Sequence, residues 1–326
     1  RAATVVVPRP SASYSNDGGA HLRGVRVLSG RTLDAPQHRT GFVTGKLNNE
    51  LNLRTRFQLF DPDDPARYQV YLDLSSEYSL SAHWAIRSSF AININQNFDE
   101  SSRQETDSVL PPVRSEVAKY LNEGDSGLTK LILEGRNTQG HSLHYRGFAG
   151  VLEEMFSGAG GELLYWPSQS RIAVGASVAY AKQRDYDRGL GHLDYDVITG
   201  HVSAYWATPF YNYDLAVHAG QYLAKDMGAT LEVRRTFRNG WQVGAWATKT
   251  DVSSEDFGEG SFDKGFYFQV PLDSIFGGNT RSKFGTRMRP IQRDGGQRLE
   301  SYSGNIFWDL RESRYDAFQI DERLLP

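Results

Sequence analysis

Leu51-Asn52-Leu53-Arg54-Thr55-Arg56-Phe57-Gln58-Leu59-Phe60 is the stretch whose reading decides the fold. Leu51, Leu53, Thr55, Phe57 and Leu59 fall on one face; Asn52, Arg54, Arg56 and Gln58 fall on the other. A period of two that sets apolar against strongly polar residues is the signature of a strand with one greasy side. The pattern recurs at once. Tyr68, Val70, Leu72 and Leu74 oppose Gln69, Tyr71, Asp73 and Ser75; Leu80, Ala82, Trp84, Ile86, Phe90, Ile92 and Ile94 oppose His83, Arg87, Ser89, Asn93 and Asn95. These runs span roughly ten to fifteen residues, against the five or six of a typical soluble strand. A tilted strand needs about nine to eleven residues to cross a bilayer.

Further segments of this kind lie near 128–136, 141–152, 159–166, 171–182, 197–207, 214–223, 229–236, 241–250, 264–271, 282–290 and 298–310. The connections alternate in length, with only the 272–281 link rather long for its side. Short turns stand at Ser79–Ser81, Asn137–Gly140, Pro167–Ser170, Thr208–Tyr213 and Asn239–Gly240, the last reading as a type I′ hairpin turn. Longer links occupy 61–67, 96–127, 153–158, 183–196, 224–228, 251–263 and 291–297. This asymmetry predicts a transmembrane antiparallel up-and-down β-barrel of about fourteen strands, with short periplasmic turns, longer outer loops and both chain ends on the periplasmic side. Apolar faces that end in Trp84, Tyr165, Tyr180, Trp206 and Trp241 suit a headgroup girdle. A soluble β-sandwich also alternates and is the competing architecture.

Composition narrows the function. Among 326 residues, 36 basic and 39 acidic side chains leave a net charge of −3, which argues against nucleic acid as partner. Cysteine is absent, so disulfides, thiolate metal sites and a cysteine nucleophile are excluded. Mean hydropathy is −0.52, and no run approaches the ~18 consecutive apolar residues of a membrane helix. No basic segment followed by an apolar one opens the chain, so any export signal is expected to have been removed. Residues 1–48, with Pro8, Pro10 and Pro36, read as an extended periplasmic linker with a short strand near Gly24–Leu28; 49–310 read as the barrel; and 311–326 as a charged tail. Within the 96–127 loop, Val113, Val117, Tyr120 and Leu121 share one helical face, which predicts a short helix on or in the barrel mouth.

With Leu51 and its counterparts outward, the interior receives Arg54, Arg56, His83, Arg87, Arg146, Glu162, Trp166, Arg234 and Trp246. Mixed charge with occasional aromatics suits a sugar polymer, and it equally suits a lumen filled by its own neutralised side chains. Glu153, Glu154, Glu259 and Asp263 mark two acidic loop motifs; with Asp61, Asp63, Asp64, Glu255 and Asp256 they lack the regular spacing of a calcium loop. No cofactor is expected. Gly158, Gly160 and Gly161 have no P-loop lysine after them and read as close-packing positions in a strand. A barrel enzyme would draw on His201 and Ser203, or on His192 and Asp194 at a loop boundary. No known nucleophile or zinc motif is present, and the bland reading is polar groups satisfying one another.

Several runs resemble one family: Phe60-Asp61-Pro62-Asp63-Asp64-Pro65, the 110–117 stretch Leu-Pro-Pro-Val-Arg-Ser-Glu-Val, the 151–158 stretch Val-Leu-Glu-Glu-Met-Phe-Ser-Gly, and 199–206, 219–223, 257–265 and 293–299. Together they are similar to the YjbH/GfcD family of outer-membrane exopolysaccharide and capsule biosynthesis proteins. The resemblance implies a barrel in the bacterial outer membrane, surrounded by its lipids, that helps to export or assemble an exopolysaccharide. It implies periplasmic and lipoprotein partners of the same secretion system, and a second barrel as a further partner. It supplies no catalytic residue, so the expectation is a non-enzyme. It also implies that this chain corresponds to the carboxy-terminal barrel of the family, whether as a fragment, a processed piece or a separately encoded unit. The alternatives are a barrel enzyme acting on polysaccharide or lipid, and a soluble glycan-binding β-protein.

Overall fold

The computed structural model describes residues 4–6, 26–28, 44–59, 66–98, 109–140, 142–167, 170–237, 239–257, 261–271, 283–289 and 293–311. Two short strands, β1 (Thr4–Val6) and β2 (Arg26–Leu28), pair with each other. The body is one antiparallel sheet of thirteen strands joined in chain order. These are β3 (Leu47–Leu59), β4 (Ala66–Ser79), β5 (Trp84–Gln96), β6 (Gly127–Gln139), β7 (Leu143–Val151), β8 (Phe156–Tyr165) and β9 (Ile172–Arg184). They continue as β10 (His192–Ala207), β11 (Tyr213–Gln221), β12 (Met227–Thr236), β13 (Gln242–Thr250), β14 (Asp263–Pro271) and β15 (Lys283–Met288). The edge strands β3 and β15 come into contact, so the sheet curls into a nearly closed barrel. Helices α1 (Val117–Glu123), α2 (Ser254–Phe257) and α3 (Ile306–Arg311) complete the described elements.

The alternation read at Leu51 holds around the wall. Leu51 and Leu53 are about 60% exposed on the outer face. On β10, Ile198, Val202 and Trp206 point out while Thr199, His201, Ser203 and Tyr205 are buried inside. Among the described residues the other sheet is the small β1–β2 pair, so no second layer covers the apolar face. Tyr78, Trp84, Tyr145, Tyr165, Trp206, Tyr213 and Trp241 all lie exposed at the rim that carries the short turns. Tyr180 lies toward the opposite rim.

Two expectations need correction. The turn at Asn239–Gly240 is a three-residue loop: the Phe237 N–H donates to Trp241 O (2.7 Å), and the Gly240 N–H to Phe237 O (3.0 Å). Gly240, at φ 79°, supplies the left-handed residue that such a loop needs. The stretch 298–310 is not a wall strand either. Its apolar residues Leu299, Tyr302, Ile306 and Phe307 recur at three and four rather than two, and they are buried inside the barrel. Thirteen strands instead of fourteen make β3 and β15 run the same way. The chain nevertheless returns to its starting rim, because residues 293–311 descend through the lumen.

Candidate functional site

The lumen is occupied by two segments that clip together near the long-loop rim. The 109–126 segment enters with α1, whose Val117, Tyr120 and Leu121 are buried against Phe98 and the inner wall. The 293–311 segment, which forms the plug, meets it at Asp294. One carboxylate oxygen of this fully buried residue accepts the backbone N–H groups of Val113 (2.9 Å), Arg114 (2.8 Å) and Ser115 (2.9 Å). Burial pushes its pKa up, against those donors. Arg114 donates to Arg298 O (3.0 Å) and pairs with Glu153 (2.6 Å). The Gly296 N–H reaches the Asp226 carboxylate (2.7 Å), and the Leu223 N–H donates to Gln297 O (2.8 Å). Gln297 also donates to Asp263 (3.1 Å).

Halfway down, Arg146 is buried between the wall and the plug. It donates to Glu162 (2.8 Å) and to Ser301 O (2.7 Å), and Glu134 lies 3.7 Å away. Glu162 also accepts the Gly304 N–H (2.7 Å). Gly304 sits at φ +85°, where a Cβ would stand 2.7 Å from both the Tyr205 hydroxyl and the His218 ring. At the short-turn rim the Phe307 ring stacks between Trp166 (4.5 Å between centroids) and Tyr205 (4.3 Å). Arg234 lies over the Trp308 ring (3.9 Å), Asp309 pairs with Arg136 (2.7 Å) and Arg311 with Asp214 (2.7 Å). The plug thus spans the lumen from rim to rim.

Of the interior residues read from sequence, Arg146, Glu162, Trp166 and Arg234 are committed to holding the plug. Arg54 pairs with Asp73 (3.1 Å), Arg56 with Glu154 (2.6 Å), and Arg87 with Glu77 (2.8 Å) and Glu134 (3.1 Å). Trp246 donates from its indole N–H to Asp263 (2.7 Å). His83 is exposed in the turn between β4 and β5 rather than inside, because the strand has already ended there. Glu259, Asp61, Asp63 and Asp64 lie outside the described residues. Gly158 and Gly160 sit where a Cβ would run into the carbonyls of Tyr180 and Val178, so they permit close strand approach. Among the described residues no cluster of three or more His, Asp or Glu side chains is arranged to hold a metal ion.

The enzyme candidates do not form the expected group. Ser203 Oγ meets His218 Nδ1 (2.8 Å), not His201. The His201 ring packs edge-on against Tyr222 (4.8 Å). His192 and Asp194 are both exposed, and Asp194 lies on the outer face of β10.

Three charged residues missed by sequence reading organise the mouth. Arg184 donates to the carbonyls of Leu128, Glu153, Glu154, Arg188 and Gly189. Arg188 donates to Gly124 O (2.8 Å) and Asp125 O (2.6 Å), closing the end of α1. Glu300, on the plug, faces Arg287 (3.3 Å) and Arg289 (3.9 Å). Their signal is weak, since single charges in loops and at strand ends carry no period. Neighbouring carboxylates are also driven apart here. Burial raises Glu153 in spite of Arg114, whereas Arg56 and Arg188 outweigh burial at Glu154 and lower it. At Glu300 the enclosing wall raises the pKa, but Arg287, Arg289, Arg114 and Arg56 win and hold it at about 2.

A carboxylate lowered from 4.5 to about 2 stabilises the fold above its ordinary range and loses that contribution as pH falls through about 2. We expect Glu300→Gln to be less stable than wild type above pH 4.5, and the gap to close steadily on acidification toward pH 2. Paired thermal unfolding curves across pH check this; a gap independent of pH would count against it.

A family model described as "Exopolysaccharide biosynthesis protein YbjH" matches residues 23–311. The chain belongs to the YjbH family. A relative from Escherichia coli K12, described as an uncharacterized lipoprotein YjbH, is 39% identical over 245 residues. That alignment covers 73% of this chain and 35% of the relative, so the chain spans about a third of the relative's length. The YjbH match ends at Arg311, the last residue of α3, and therefore takes in the plug. The motif runs that carry the resemblance converge on it: 293–299 clips onto 110–117, Glu153 of 151–158 pairs with Arg114, Tyr205 of 199–206 donates to Gly304 O (2.9 Å), and Leu223 of 219–223 holds Gln297.

Proposed function

We propose that this YjbH-family chain is a non-enzymatic outer-membrane β-barrel that helps to export or assemble exopolysaccharide at the cell surface. The observation that carries this reading is the inverted surface. Leucine, valine and isoleucine cover the outside, while Arg67, Arg146, Arg184 and Arg188 are buried within. An apolar exterior of this extent suits lipid and not water. The aromatic ring at the short-turn rim and the lipoprotein description of the E. coli relative support an envelope location. The short turns then face the periplasm, where lipoprotein partners or a second barrel would deliver polymer, and the clipped plug is the element that must yield for passage.

Two experiments test it. Val202→Arg, in the outer face of β10, should cost about 2–4 kcal/mol in lipid vesicles if that face meets hydrocarbon near the midplane. If it costs nothing and the chain stays dissolved without detergent, a soluble glycan-binding protein is the better reading. Deleting the gene should lower the amount or size of surface polysaccharide, and an unchanged surface would overturn the export role. The Ser203–His218 contact favours an enzyme as second reading. Alanine at either residue, or at His201, His192 or Asp194, would then abolish polysaccharide change with the barrel intact; we expect it not to.

A further inference from the structure

Beside the plug, the inner faces of β13, β14 and β15 form a surface that its neighbours only partly occupy. Trp246 and Tyr267 stack at 6.4 Å with 28° between their planes. Each ring lies flat across a glycine of the adjoining strand: Trp246 is paired with Gly265, and Tyr267 with Gly244, and a Cβ at either glycine would run into the ring. The wall thus makes room for two rings to lie flat against it. Arg287 stands over both, 5.2 Å from the Trp246 centroid and 5.9 Å from that of Tyr267, and Arg289 is 5.4 Å from Trp246. Tyr267 donates to Glu232 (2.7 Å) and Trp246 to Asp263, so the polar edges of both rings are anchored.

The anion that meets these arginines comes from the plug. Glu300 is half exposed to the lumen, and so is Arg287. Among the described residues Glu300 is the carboxylate within ion-pair distance of Arg287; Arg289 has it at 3.9 Å and Asp263 at 3.8 Å. Glu232, the next carboxylate that Arg287 feels, accepts the Tyr267 hydroxyl (2.7 Å), so the direct ion pair at Arg287 is the one with Glu300. A flat aromatic pair under one guanidinium and near a second is suited to a sugar ring bearing a carboxylate: the fork-shaped cation takes the acid, and as Arg287 turns toward that acid it uncovers indole or phenol for the ring's C–H face.

We propose that Glu300 is a built-in substitute for a ligand, and that Arg287, Arg289, Trp246 and Tyr267 form a lumen site for a uronate unit of an acidic polysaccharide, which competes with the plug. The inference rests on the export reading and names the chemical class of its cargo. The surrounding arginines hold the Glu300 carboxyl below the usual carboxylate range, so it meets them as an anion, as a sugar carboxylate would.

The test is binding of oligogalacturonate to the purified full chain in detergent, with dextran and polyphosphate as comparison probes. Wild type should bind weakly. Glu300→Gln, which removes the competitor without changing its shape, should tighten oligogalacturonate binding by about tenfold or more, within the usual range of coupled sites, and leave dextran unchanged. Arg287→Gln with Arg289→Gln in that background should remove the gain. Trp246→Leu, which leaves every charge in place, should weaken it and gives an independent readout should the double variant fail to fold. No gain in Glu300→Gln overturns the proposal. Equal gains for polyphosphate would reduce the site to a general polyanion trap and overturn the sugar assignment. If the gene deletion still removes surface polysaccharide while these binding results fail, only the uronate site falls and the export role stands.

Discussion

Asp294→Ala is expected to loosen the plug and to cost about 3–5 kcal/mol of stability, because it leaves two buried backbone donors and a third, half-buried one without an acceptor. The side chain of Asp294 is the joint between two segments that are far apart in sequence but adjacent inside the barrel. Its loss affects both at once. The 110–115 turn loses the anion that gathers its N–H groups, and the 293–299 turn loses its anchor on that side. An asparagine side chain here would keep one acceptor without the charge, so Asp294→Asn should fall between wild type and alanine. Hydrogen exchange at Val113, Arg114 and Ser115 gives the direct readout, and urea unfolding in detergent gives the magnitude. Unchanged protection at these three amides would show that the clip does not depend on the carboxylate.

The second large effect is expected at Arg146. Its guanidinium is buried, pairs with Glu162, faces Glu134 and donates to the plug at Ser301 O. Arg146→Met keeps most of the side-chain volume but strands the nearly buried Glu162 carboxylate and the Ser301 carbonyl, while Glu134 keeps Arg87 and Arg136. Breaking a buried pair by removing one partner costs about 3–5 kcal/mol. A double variant, Arg146→Met with Glu162→Gln, should recover part of that loss, since the uncompensated charge at Glu162 disappears with its partner. Recovery identifies charge burial as the cause. A double variant as poor as the single one would place the cost in lost packing against Phe148 and Tyr302, whose rings lie 5.7 and 5.1 Å from the guanidinium.

The wall is legible in the sequence because strand geometry imposes a period of two, and Leu51 to Leu59 follows it without a break. The interior is legible only as polarity. Arg146 and Arg234 can be assigned to the inward face, but not to their partners on the plug, since pairing between distant residues leaves no local trace. The plug itself reads wrongly as a last strand. Its apolar residues are few, and Ser301-Tyr302-Ser303-Gly304-Asn305 supplies turn chemistry where a strand would need alternation. Asp294 is visible only within a motif run, with nothing to say that its three hydrogen bonds go to residues about 180 positions earlier.

The odd strand number has a consequence for how such a molecule can be assembled. The final described segment lies inside a ring whose every stave precedes it in the chain, and its Phe307 is wedged deep between Trp166 and Tyr205. Threading that tip through a finished hoop would force bulky rings past a crowded mouth. Rolling the staves around a core already seated avoids the difficulty, and the line where β3 and β15 touch without a ladder is the natural place for such a cylinder to shut last.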